Sequence, residues 1–304
     1  MLDIDLPYDS WRPTKETLHR FAQIVGRLRL AVSIRRNHWW NVPFHLTGSG
    51  ITTRPMGDAP TFAVDLDFVD HRLHVVTATG ARSSFSLVGH SVASFHAAFV
   101  AAVEAVGVDP SPVREATPFD LPDASRRFAD DTEHASYDPV AVTAYWRILS
   151  DVNLVLEEFS GRFWGKTSPV HHFWHTFDIA ATRFSDAIVD QRGADAVTRE
   201  AYSREVISFG FWFGDESVPF PAFYAYTAPE PDGIAAAPLP DGADWLARGA
   251  SHLAILPLAA AQATSDARVA ALDFFEAAYQ AGARLAGWDI ERYACIGGAT
   301  DTRT

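Results

Sequence analysis

Cysteine is almost absent: Cys295 is the single one in 304 residues. One thiol excludes an internal disulfide framework and any thiolate metal cluster, so stability has to come from packing and the expected compartment is a reducing one. Positive charge is short as well, with 25 Lys and Arg against 38 Asp and Glu, a net charge of −13 and a pI near 5.3. Phosphate neutralisation needs the opposite balance, so no nucleic-acid partner is expected. No apolar run approaches the roughly 20 residues of a membrane span. The opening "MLDIDLPYDSW" also lacks a basic segment followed by an apolar one, so the expectation is no membrane partner and a cytoplasmic location. Three chemical signatures are missing too: the phosphate loop ending in Lys-Ser/Thr, G-x-G-x-x-G after a strand, and the G-x-S-x-G nucleophile elbow.

What is present begins with 48% hydrophobic residues, enough for a substantial core. Residues 1–50 reverse the overall charge, with seven basic groups (Arg12, Lys15, Arg20, Arg27, Arg29, Arg35, Arg36) against four acidic ones. A solvated face is the expected reading of these; an anion-recognition patch is the alternative.

Periodicity divides the chain into a first α+β half at 1–106, a proline-rich connector at 107–137, a second α+β half at 138–290 and a flexible tail at 291–304. In the first half, Leu18, Phe21, Val25 and Leu28 recur at helical spacing, with Pro13 suited to a first turn and Gly26 to an end. "RLRLAVSIR" alternates like a half-buried strand, "NHWWNVPFHLT" continues extended, and "TFAVDLDFVDHRLHVVTATG" reads as a hairpin turning near Asp70-His71. "SSFSLV" adds a strand, and Val92, Phe95, Phe99, Val103 and Val106 mark a closing helix. In the second half Asp138 and Pro139 open a helix, strands follow at 170–183, 205–213, 221–227 and 252–258, and Phe275, Tyr279, Ala283 and Ala286 mark the last helix.

A shift of 180 residues matches Phe95 with Phe275 and Phe99 with Tyr279, and one of 133 places His38 on His171, Trp40 on Phe173 and Phe44 on Phe177. The expectation is an α+β fold of two similar helix–antiparallel sheet–helix halves, duplicated and packed about a pseudo-twofold axis. Chance likeness of two amphipathic units is the alternative.

The chemistry-bearing stretch is "SPVHHFWHTFDIAATRF", with His171, His172 and His175. Strand alternation sends His171, Phe173 and His175 to one apolar face and His172 to the other. Two imidazoles four residues apart on a strand are about 13 Å apart, too far to share an ion, so no metal ligand is assigned. His38 heads the matching strand, and "DDTEHASYDP" offers Glu133 and His134 at a helix start. The candidate catalytic residues are therefore His38, His171, Glu133 and His134. An aromatic wall from Trp40, Phe173, Trp212 and Tyr224, with His175, Lys166 and Arg183 as polar contacts, would line a ligand cleft between the halves. Hydrogen-bonded core histidines, a capped helix and aromatic core stripes are the bland readings of the same residues.

"LPYDSWRPTKETLHRFAQIVGRLRL", "NHWWNVPFHLT", "DFVDHRLHV", "DDTEHASYDP", "SPVHHFWHTFDIAATRFS", "EVISFGFWFGD" and "PAFYAYTAPEP" together resemble a bacterial family of uncharacterised proteins, over most of residues 6–289. The resemblance implies no activity, ligand or site. The functional expectation is a small-molecule binding protein or enzyme, its cofactor and oligomeric state unknown. The alternatives are a non-catalytic interaction or oligomerisation protein using the aromatic strands and basic first helix, and a metal-dependent enzyme.

Overall fold

Helical spacing sets the first element and carries it further than the alternation of "RLRLAVSIR" suggests. In the computed structural model, which describes residues 2–299, α1 runs from Tyr8 to Val32. Leu18, Phe21, Val25 and Leu28 are all fully buried, as their spacing requires, while Leu30 and Ile34 are exposed. The strand expected there is helix: a period of 3.6 buries Arg29 one turn after Val25, where alternation would have exposed it. Pro13 lies inside the helix because the helix starts five residues earlier. Gly26 does not end α1. A Cβ at Gly26 would meet the Trp174 ring at 2.2 Å, so glycine is there to let an indole lie on the helix backbone.

Contact density divides the chain into two units. Of the described residues, the N-terminal unit holds Asp9–Arg147 and His172–Phe177, and the C-terminal unit holds residues 2–8, Ile148–His171 and residues 178–299.

In the N-terminal unit five short strands follow in sequence order as an antiparallel sheet: β1 (His45–Leu46), β2 (Gly50–Thr52), β3 (Phe62–Asp67), β4 (Arg72–Thr77) and β5 (Arg82–Ser86). Alternation buries Val64, Leu66, Leu73 and Val75 on one face. The β3–β4 turn falls where Asp70-His71 suggested, its start fixed by Asp67 accepting the N–H groups of Val69 and Asp70 at 2.8 Å. Helix α2 (Val92–Glu104) is capped by Ser91, and its Phe95 stacks on Phe21 of α1 with ring centroids 3.9 Å apart. A single-turn α3 (Ser111–Arg114) follows. Helix α4 (Pro139–Ser160) opens with Asp138 accepting from the Val140 N–H at 2.9 Å, and the boundary between the units falls within it.

The C-terminal unit carries β7 (Asp178–Ile188), α5 (Ala196–Ala201), β8 (Arg204–Trp212), β9 (Ala222–Ala228), β10 (Asp244–Arg248), β11 (Ser251–Pro257), α6 (Leu258–Gln262), α7 (Ala267–Leu285) and α8 (Ile290–Tyr293). Its strands belong to the second antiparallel sheet, of order β10-β11-β9-β8-β7-β6, whose edge strand is β6 (His171–Phe173). Phe275 of α7 packs edge-on against Phe209 and Phe223 with centroids 5.7 Å away, so this helix closes one face of the sheet.

The fold class is therefore α+β with two antiparallel sheets. Those sheets differ in strand number and order, five in sequence against six with crossovers, and the internal duplication is not established by them. The single strand expected at 170–183 is interrupted. Residues 174–177 form a turn closed by the Phe177 N–H on the Phe173 carbonyl at 2.7 Å, with Phe177 in the left-handed region at φ 60°. The shared face expected for His171 and His175 is lost with it; His171 and its neighbour His172 are both fully buried, and His175 is half-buried. No described helix is long and apolar enough to cross a membrane. Of the tail expected at 291–304, residues 300–304 lie outside the described residues.

Candidate functional site

The polar face of α1 organises the site. Thr14, Thr17 and Arg20 recur every three residues, and all three are buried. Thr14 and Thr17 accept the backbone N–H groups of Asp138 and Ser136, each at 3.2 Å. Next on the same helix, Gln23 exchanges bonds with both backbone groups of Phe119, and Arg27 donates to the Thr117 carbonyl at 2.8 Å. The proline-rich stretch is thus fastened to α1 along its length. The solvated face expected of the early arginines fails at Arg20 and Arg29, each 5% exposed.

Arg20 donates to Asp123 Oδ1 at 2.6 Å, and its Nε lies 3.5 Å from Asp131 Oδ2. Asp131, 1% exposed, accepts the N–H groups of Glu133 at 3.2 Å and His134 at 3.1 Å on Oδ1, which fixes a tight turn. The same carboxylate takes Nδ1 of His134 at 2.8 Å on Oδ2. The loop is held from outside too, because the first N–H groups of α2, those of Val92 and Ala93, bond to the carbonyls of His134 and Asp131 at 2.8 Å. Arg126 reaches Glu133 at 2.8 Å and Asp131 at 3.5 Å.

An ionised carboxylate only accepts, so Nδ1 of His134 carries a proton, and in the neutral imidazole the lone pair is then on Nε2. The ring keeps about a fifth of its surface exposed, against 2% for the Asp131 side chain. A buried acid fixing the tautomer and angle of a partly exposed imidazole is the arrangement that general base catalysis requires.

Asp123, Asp131 and His134 also place three potential ligand atoms within 4.8 Å of one another, the one such group among the described residues. They fit a cation poorly. The Arg20 guanidinium already lies against both carboxylates, and Nδ1 would have to give up its proton and its bond to Asp131.

The other candidates fall into different surroundings. In the N-terminal unit, His38 is buried with its ring 5.5 Å from Trp40, and both His38 and Trp39 have positive φ, at 54° and 60°. Phe173 and His175 are half-buried and meet edge to face at 5.6 Å. In the C-terminal unit, His171 has no exposed surface, and Lys166 sits 5.1 Å over the Phe184 ring. Trp212 and Tyr224 pack edge to face at 5.5 Å, and Tyr224 donates to Asp178. Arg183 is buried between rings, its guanidinium 3.8 Å over Phe159 and 4.3 Å over Tyr279. It donates to the Phe159 carbonyl at 2.6 Å, in the last turn of α4, where the helix dipole is negative. Around the consecutive Glu133 and His134 the structure gathers Asp131, Asp123, Arg20 and Arg126. Asp131 was readable as the first member of a local turn in "DTEH"; Arg20 was readable only as part of the Thr14, Thr17, Arg20 stripe.

Fold and site together define an α+β protein of two compact units with a carboxylate-held histidine in the first, in a class whose activity is not known. The chain belongs to the family of unknown function DUF5996, which it matches over residues 4–295. No curated protein and no solved structure matches it.

Proposed function

We propose that the protein is an enzyme acting on a small molecule by proton transfer, with His134 as the acid–base group and Asp131 as the residue that positions it. The observation that carries this reading is the contact of Asp131 Oδ2 with His134 Nδ1, made by a carboxylate that two backbone N–H groups and Arg20 hold in place. That many partners leave the pair almost no freedom to rotate, which is what an acid–base residue needs if it is to meet a proton at a fixed point. Glu133 and Arg126 pair beside it as polar contacts for the substrate. Metal-dependent chemistry ranks behind this, because the Arg20 guanidinium already supplies the positive charge that the carboxylates require.

The test is a thermal-shift screen of small molecules on the wild type and on His134→Gln. Compounds that raise the wild-type Tm should lose that effect in His134→Gln, and the variant should melt within about 2 °C of the wild type without ligand because the ring is partly exposed. Unchanged ligand shifts in a markedly destabilised His134→Gln would contradict the proposal and leave the pair a structural device.

A further inference from the structure

We propose that Arg29, Arg36 and Arg54, gathered around His45 in the N-terminal unit, form a site for the dianionic phosphate group of a small molecule. This rests on residues other than those of the acid–base pair and stands independently of it. Arg29 comes from the last turn of α1, Arg36 from the segment after it, His45 from β1 and Arg54 from the residues that follow β2. The backbone brings them together. Arg29 Nε donates to the Val42 carbonyl at 3.1 Å, the Arg36 N–H bonds to Asn41 Oδ1 at 3.2 Å, His45 pairs with Thr52 across β1 and β2, and the Arg54 N–H bonds to Thr52 Oγ1 at 3.0 Å. The Val42 carbonyl that receives Arg29 also receives Trp174 Nε1 at 3.1 Å, which fixes the anchor point.

Depth grades the cluster: Arg29 is 5% exposed and His45 3%, whereas Arg36 and Arg54 are exposed. Burying a guanidinium carries a large desolvation cost unless a counter-charge meets it. Among the described residues no carboxylate pairs with Arg29, and the charges acting on it are those of Arg54 and Arg36, both repulsive. Burial first, then those two arginines, brings the Arg29 guanidinium down to about 10; burial, Arg54, Arg29 and Arg36 bring His45 down to about 3. The chain as a whole carries −13, so collecting three arginines at one point runs against its composition.

An oxyanion resolves the conflict. Arginine presents donors in a fork that matches phosphate and carboxylate oxygens. Arg29 has spent only Nε on the protein. Three cations around a neutral imidazole favour two negative charges over one, hence a phosphate monoester over a carboxylate. Local backbone strain surrounds the same place, with left-handed φ at His38, Trp39 and Arg54 of 54°, 60° and 56°. Such strain collects at ligand-binding loops.

Inorganic phosphate is the probe, measured by calorimetry against acetate and chloride at equal ionic strength. Wild-type protein should bind phosphate at least about tenfold more tightly than acetate, and its Tm should rise with phosphate. Arg29→Met should abolish that binding while melting no lower than wild type in chloride, since an uncompensated buried charge has been removed. Arg54→Asn, chosen because asparagine accepts the left-handed backbone, should keep the chloride Tm and weaken phosphate by about tenfold; it carries the test if Arg29→Met does not fold. Phosphate binding no better than acetate, or an Arg54→Asn variant that binds phosphate like the wild type, would overturn the proposal.

Discussion

Lowering the pH from 7 to 5 should remove about 5 kcal/mol of unfolding free energy, a large share of the roughly 5–15 kcal/mol that folded proteins commonly have. Three histidines of the N-terminal unit are responsible. His19, His45 and His172 are each brought down from 6.5 to about 3, in every case chiefly by burial. His19 stacks on Phe177 with centroids 4.9 Å apart, and Lys15 and Arg20 lower it further. His172 has no exposed surface and its Nε2 is hydrogen-bonded to the Tyr145 hydroxyl at 2.7 Å. All three are neutral in the folded state and ordinary in the unfolded one. Between about pH 6.5 and pH 3 the unfolded chain binds more protons, so stability is complete above that window and falls as the pH drops through it. Each histidine loses about 1.4 kcal/mol per pH unit well inside the window. Urea titrations at a series of pH values measure the slope, and His19→Gln with His172→Gln should flatten it by about two-thirds. A slope indifferent to both substitutions would place the acid sensitivity elsewhere.

The second large effect is a change of sign at Gly26. Replacing a helical glycine by alanine ordinarily stabilises by up to about 1 kcal/mol. Here the added Cβ would lie 2.2 Å from the Trp174 ring, and the ring cannot yield: it is 2% exposed, with its Nε1 bonded to Val42. Gly26→Ala should therefore cost about 2 kcal/mol in the wild type. Trp174→Ala alone should cost about 3–5 kcal/mol, the usual result of emptying a buried tryptophan site. In that background, with the obstruction gone, Gly26→Ala should stabilise. A double-mutant cycle by chemical denaturation measures the coupling, and additive costs would show that the indole does not rest on the helix backbone.

Gly26 also shows where the sequence could be read and where it could not. A glycine near the end of an amphipathic run looks like a helix stop, and "RLRL" after it alternates like a strand; the residue that explains the glycine, Trp174, is far along the chain. Elements governed by local signals were legible. The β3–β4 hairpin follows from alternation and a turn-forming aspartate, α2 and α4 from spacing and from Ser91 and Asp138 at their starts. The edge strand β10, "DWLAR", was missed because it is half exposed and carries no clear alternation. The histidine run resisted reading because a turn at 174–177 breaks the period that assigns faces. At the site, "TEHASYDP" gave Glu133 and His134 as candidates from residue type and their place before a helix start. Arg20, which pairs with Asp123 and Asp131, looked like one of several surface charges, since burial by tertiary contact leaves no mark on local spacing.

The central claim is that His134 offers a lone pair on Nε2 at a point fixed by Asp131. Site-resolved acylation by diethylpyrocarbonate, followed by mass spectrometry, tests this most directly, because the reagent takes the free nitrogen of an accessible neutral imidazole. Wild-type His134 should react readily while the buried His171 and His172 stay protected, and Asp131→Asn should slow His134 by about tenfold, the loss expected when an orienting charged bond is removed. A His134 as slow as the buried histidines, or one whose rate ignores Asp131→Asn, would contradict the account.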